Sequence, residues 1–151
     1  MKRNLTFLSA LIAAGLFISG ITLSTTVEAQ MVAKERNQMM KMLGGNMKKL
    51  KQATDTATMV AAAKVINMNA KKLGDEKLWP KGSGGGETRA KMEIWQDMAG
   101  FKSKMKDLEN ASANLIKVAM GGNLGDSKKA FGAVGKTCGG CHKPFRAPKN
   151  K

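Results

Sequence analysis

The chain has 151 residues, a length suited to one domain. It is 42% apolar and 25% charged, which excludes a wholly disordered or collagen-like polymer. One histidine, two cysteines and a net charge of +15 exclude a multi-disulfide scaffold and any multi-histidine metal site, and make the chain strongly basic.

Lys2 and Arg3 precede a mostly apolar run from Leu5 to Leu23, which ends at the small-residue pattern Val27-Glu28-Ala29. A positive start, an apolar stretch and a small-residue site form the layout of a secretory signal. The alternative, an uncleaved membrane anchor, is disfavoured by Thr6, Ser9, Ser19 and Thr22 inside the run. The expectation is therefore a leader over 1–29, cleaved before Gln30, and one exported domain over 30–151.

Past the leader, four helical stripes follow one another. Val32, Met39 or Met40, Leu43, Met47 and Leu50 recur at three- and four-residue steps, so they predict a first helix, with a kink at Gly44-Gly45. Thr54 or Asp55 caps a second, carried by Met59, Ala62, Ala63, Ile66, Ala70 and Leu73 and ended by Gly74. Pro80 and the glycines at 82 and 84–86 make a loop. A third helix is expected from Thr88 to Ala119, about 45–48 Å long. Asp126 or Ser127 caps a fourth, with Phe131, Val134, Cys138, Cys141, His142 and Phe145 on one face; Lys149-Asn150-Lys151 forms a solvated tail. No segment alternates with period two. The fold expected is all-α, an antiparallel four-helix bundle.

Cys138-Gly139-Gly140-Cys141-His142 is the spacing that attaches haem c. Two thiols three residues apart share one face of a helix and reach the two vinyl groups of one haem edge, and the next side chain can ligate iron from below. A thioredoxin-like site needs a strand–helix setting that is not visible. Zinc needs four ligands, and a plain disulfide gives His142 no role. With no methionine or histidine after His142, any sixth ligand comes from upstream, and methionine or lysine are the candidates.

A helical bundle with this motif on its last helix resembles the class II c-type cytochromes, the cytochrome c′ family. Residues 138–146 are similar to the family's C-x-x-C-H-x-x-aromatic-Arg, and Arg36-Asn37-Gln38-Met39-Met40-Lys41 to its first-helix segment. Leu78-Trp79-Pro80, Glu93-Ile94-Trp95-Gln96-Asp97 and Phe101 resemble further family segments; Met92 stands where many members have proline. The resemblance implies one covalent haem c in a bundle whose haem lies near the C-terminal helix. It implies that Arg36 pairs with a propionate, that Met40 faces the iron opposite His142, and that Trp95 and Phe101 pack against haem or core, while Trp79 anchors the loop. It also implies two behaviours. With Met40 as sixth ligand the protein is a low-spin periplasmic one-electron carrier, the favoured reading. With an open distal site it is five-coordinate, high-spin and binds nitric oxide or carbon monoxide. Family members are often homodimers through their first two helices.

Nothing points to an enzyme: the one histidine is committed to the haem motif, and no phosphate-binding glycine motif is present. An exported chain without a recognition module does not point to nucleic acid. The positive charge is spread over all four helices and suits redox partner proteins with acidic docking surfaces, or anionic lipid.

Overall fold

The structure, a computed structural model, describes residues 21–85 and 88–149, with side chains from residue 27. Its helices are α1 (Ile21–Gln52), α2 (Thr56–Leu73), a 3-10 turn (Glu76–Leu78), the single turn α3 (Glu93–Gln96), α4 (Met98–Met120) and α5 (Leu124–Phe145). Among the described residues there is no strand, and one antiparallel bridge joins Ala90 to Arg146. None of these helices is long and apolar enough to cross a membrane. Residues 1–20 of the expected leader, Gly86 of the loop, and Asn150 and Lys151 of the tail lie outside the described residues.

α1 begins well before the stripe that predicts it, and residues 21–29 run into it without a break. Met39, Leu43 and Leu50 are its buried apolar positions. Gly44 and Gly45 are exposed, and the helix passes through them unbroken. There they cost propensity alone, and packing on the opposite face outweighs that.

α2 starts where expected. Asp55 accepts from the Thr58 backbone N–H at 2.6 Å and from its hydroxyl at 2.8 Å, and Gly74 closes the helix. The buried stripe contains Ala62, Ala63 and Ala70, so α4 can approach closely. Asn67 Nδ2 crosses to the Glu109 carbonyl at 2.7 Å and to Ser112 Oγ at 3.1 Å.

The third helix differs from expectation. Residues 88–91 are not helical, because they pair with the end of α5: Lys91 N–H donates to the Phe145 carbonyl and Ala147 N–H to the Arg89 carbonyl. Asp97, at φ −130° and ψ 63°, then breaks the helical path and its side chain caps α4 through the Gly100 N–H at 2.8 Å. The continuous helix is 23 residues, about 35 Å rather than 45–48 Å. α5 also starts earlier, since Asn123 rather than Asp126 or Ser127 caps it, accepting from the Asp126 N–H at 2.9 Å. Ser127 is buried inside the first turn, its hydroxyl donating back to the Asn123 carbonyl at 2.7 Å.

Each long helix is antiparallel to the next. α2 packs extensively on α1 and α4, and α4 on α5, whereas α1 and α5 touch at few points. Leu50, Met59, Leu73, Leu115 and Val134 are fully buried between them. One end of the bundle is closed by aromatic rings. Trp79 stacks edge-on against Phe101 (centroids 4.5 Å apart) and Trp95 (6.1 Å), and Phe101 against Phe145 (5.4 Å). Trp79 also donates its indole N–H to the Leu73 carbonyl at 2.8 Å. Trp79→Ala should therefore destabilise the fold by about 3–5 kcal/mol, measured as a lower urea midpoint at unchanged slope. A loss below about 1 kcal/mol would mean the rings are not a structural cap.

Candidate functional site

Cys138, Cys141 and His142 occupy the last two turns of α5, a helix held in place by α4 and by the clamp from Arg89 and Lys91. Cys141 is buried, while Cys138 and His142 are half-buried. The two cysteines lie about 60° apart around the helix, on one face, and neither is in a disulfide. Burial raises both thiol pKa values. That of Cys141 reaches about 11, with the neighbouring Cys138 adding to the effect of burial. Burial lowers the pKa of His142, assisted by the charges of Arg146 and Arg89. Its imidazole is thereby kept neutral, the form that ligates a metal.

The facing flank of α1 is located by one hydrogen bond and one close approach. The Lys128 ammonium donates to the Lys51 carbonyl at 3.2 Å, and a Cβ built on Gly135 would lie 3.9 Å from Met47 Cε. Two turns further along both antiparallel helices, Met47 leads to Met40 and Gly135 to His142. Met40 thus stands level with His142 on the opposing helix. It is half-buried and packed against the core cluster; Met39, one residue earlier, is buried in that cluster, and Met42 is exposed.

Arg36 lies one further turn along α1 and is 2% exposed. One Nη donates to the Leu78 carbonyl at 2.6 Å and to Ser83 Oγ at 2.8 Å; the other donates to the Ser83 carbonyl. Its guanidinium lies 4.4 Å from the Trp79 ring centroid and 5.9 Å from that of Trp95. Burial lowers its pKa to about 10, so it stays cationic at neutral pH. Both terminal nitrogens are thus taken by the loop, and Nε is buried with no partner. A buried N–H of this kind requires an acceptor, and a carboxylate such as a haem propionate fits it. The donor set fits haem in the same sense: two thiols on one helix face followed by a neutral imidazole.

The structure brings Cys138, Cys141 and His142 together on α5, and helix register puts Met40 of α1 at the level of His142. Trp95 packs against the core and also holds the loop: its indole N–H donates to the Trp79 carbonyl at 2.8 Å, and any Cβ at Gly84 would strike its ring at 2.8 Å. Sequence reasoning missed Ser83, whose buried hydroxyl and carbonyl hold Arg36 from 47 residues away. It also missed Arg89, whose guanidinium donates twice to the Ala147 carbonyl, at 2.9 and 2.6 Å. A serine in a glycine loop and an arginine before a helix carry no local signal for either role. A groove of about 860 Å³ on α1, lined by Val27, Met31 and Gln38 among others, lies away from the cysteines and is not this site.

The family model described as Cytochrome C′ matches residues 31–146. Cytochrome c′ of Allochromatium vinosum is 32% identical over 156 aligned positions, covering 97% of this chain and 99% of that one. A solved cytochrome c′ described as showing an unusual ligand-controlled dimer dissociation superposes with a TM-score of 0.73 at 30% identity, covering 80% of this chain and 97% of that one. A nitric oxide complex of a cytochrome c prime variant from Alcaligenes xylosoxidans gives 0.69 at 27% identity, covering 80% and 97%. Proteins of this family carry one covalently attached haem c and are haem-binding electron carriers or gas binders, not enzymes. With the C-x-x-C-H motif on the last helix of a four-helix bundle and a family match from residue 31 to 146, the chain belongs to the cytochrome c′ family of monohaem c-type cytochromes.

Proposed function

We propose that this protein is an exported, five-coordinate, high-spin cytochrome c′ that binds nitric oxide or carbon monoxide on the α1 side of its haem. The observation that carries this reading is the near end-to-end relation to cytochrome c′ proteins, a relative of which is solved as a nitric oxide complex. The family relation favours this over thioether ligation by Met40, which the sequence suggested. The packing of Met40 against the core agrees, since a methionine engaged there fills space over the distal face.

Haem attached through Cys138 and Cys141 would supply a redox-active iron with one exchangeable position. The chain's own part is to offer the neutral imidazole of His142 from α5, to crowd the opposite face with Met40, and to give Arg36 Nε to a propionate. Cationic Arg36 and Arg146 near the site disfavour extra positive charge there, and so favour the reduced state. Export to the periplasm is supported by the leader pattern and by the family's location. Dimerisation is supported by the relative described as a dimer.

A second reading, a low-spin electron carrier with Met40 as sixth ligand, is favoured by one observation, the level placement of Met40 opposite His142. Carbon monoxide titration of the ferrous protein separates the two. On the proposed reading wild type binds stoichiometrically, and Met40→Ala raises affinity by no more than about tenfold, through relief of crowding. Wild type that resists carbon monoxide, with binding gained only in Met40→Ala, would overturn it.

A further inference from the structure

The bundle separates its charges in a way that its net charge does not reveal. The sequence has no aspartate or glutamate from residue 36 to 54 or from 127 to 151. The first stretch is most of α1 and the second is almost all of α5. The ion pairs of the described residues lie on α4 and the segments leading to it, between α1 and α2, and at the first turn of α5. Across the α1–α5 seam, Lys41, Lys48 and Lys51 of α1 face the same side as Lys128, Lys136 and Lys143 of α5. The seam is fixed at one point by the Lys128 ammonium on the Lys51 carbonyl.

The floor between these lysines is as unusual as the rim. Gly44, Gly132 and Gly139 are exposed on the same side, and a Cβ at any of them would meet nothing within 4 Å. No large apolar side chain is exposed on the seam: the exposed ones are Val27, Met31, Met42, Met68, Met92 and Met120. Met42 is the nearest of them, and it turns toward α2. A lysine rim on a bare backbone floor permits close approach of a flat, negatively charged surface but gives acyl chains nothing to bury against. The same seam joins the helix that bears Cys138, Cys141 and His142 to the helix that bears Met40.

We propose that the α1–α5 seam is the docking face for a one-electron donor protein whose contact surface is acidic. The donor loses one electron, and the haem iron passes from ferric to ferrous. The proposal rests on the haem reading above but not on which ligand fills the distal position.

The test is stopped-flow reduction of the ferric holoprotein at low ionic strength by flavodoxin hydroquinone, an acidic one-electron donor. The seam variant carries Lys48→Glu, Lys51→Glu and Lys136→Glu. The control carries Lys64→Glu, Lys71→Glu and Lys117→Glu on exposed positions of α2 and α4, and changes net charge equally. The seam variant should lose about tenfold or more in second-order rate and most of its salt dependence, and the control about threefold or less. Reduction by photogenerated lumiflavin, a neutral donor, should differ by less than about twofold among all three proteins. Equal losses in both variants, no loss in either, or a seam loss that also appears with lumiflavin would each overturn the proposal. So would a seam variant that reacts normally with flavodoxin but no longer sediments with phosphatidylglycerol–phosphatidylcholine vesicles, since the face would then serve a membrane. Should the glutamates impair haem loading, glutamine at the same three positions keeps the test, with an expected loss of about threefold. The spin state and carbon monoxide affinity of the same samples report on the proposed function separately.

Discussion

Cys138→Ala with Cys141→Ala should abolish covalent haem attachment, and each single change should lower it. The two side chains lie on one helix face three residues apart, so each supplies one of two thioethers to a single haem edge. With one thiol left, a single bond and the His142 imidazole can still retain haem in part of the population. With neither, haem is held by non-covalent contacts and does not survive a denaturing gel. Haem staining of such a gel should therefore fall in either single variant and vanish in the double one. The double variant should also melt lower, because a group that binds only the folded chain stabilises it. Full staining of the double variant would refute thioether attachment.

Arg36→Met should produce the largest loss of stability available from a single polar side chain, about 2–5 kcal/mol. The substitution keeps the aliphatic volume and removes the donors. The carbonyls of Leu78 and Ser83 are then left buried without their partner, and the Trp79 face loses its cation. Arg36→Lys restores the charge but not the fork that reaches Ser83 oxygens and the Leu78 carbonyl together, so it should recover less than half of the loss. Urea unfolding of holoprotein checks both. Arg36→Met should also shift the haem reduction potential, whereas Ser83→Ala should lower stability and leave the potential nearly unchanged. Equal stability of Arg36→Met and wild type would mean that the loop does not depend on this residue.

The haem motif was legible because its chemistry is local: five consecutive residues contain both thiols and the imidazole. α2 was legible to its caps, since Asp55 and Gly74 stand at the ends of an uninterrupted apolar stripe. The break at Asp97 was not. Trp95 and Ala99 continue a plausible stripe across it, and what holds 88–91 out of the helix is pairing with residues 145–147, more than 50 positions away. Asn123 does not stand out as a cap in the sequence because Asp126 and Ser127 follow within one turn and are as good on propensity alone. Arg36 stands out only through the resemblance, which implies a propionate; Leu78 and Ser83, which hold it, come from a 3-10 turn and loop that sequence patterns leave unspecified. The basic seam required the fold, since lysine is frequent on every helix and only the antiparallel register shows which lysines lack acidic neighbours.

The optical spectrum of purified holoprotein in both redox states tests the central claim most directly. A haem c held by Cys138, Cys141 and His142, with Met40 packed beside an open position, should be high-spin in the ferric and the ferrous form. A low-spin spectrum in both forms, with a thioether-to-iron charge-transfer band in the ferric protein that disappears in Met40→Ala, would contradict it and make Met40 the sixth ligand.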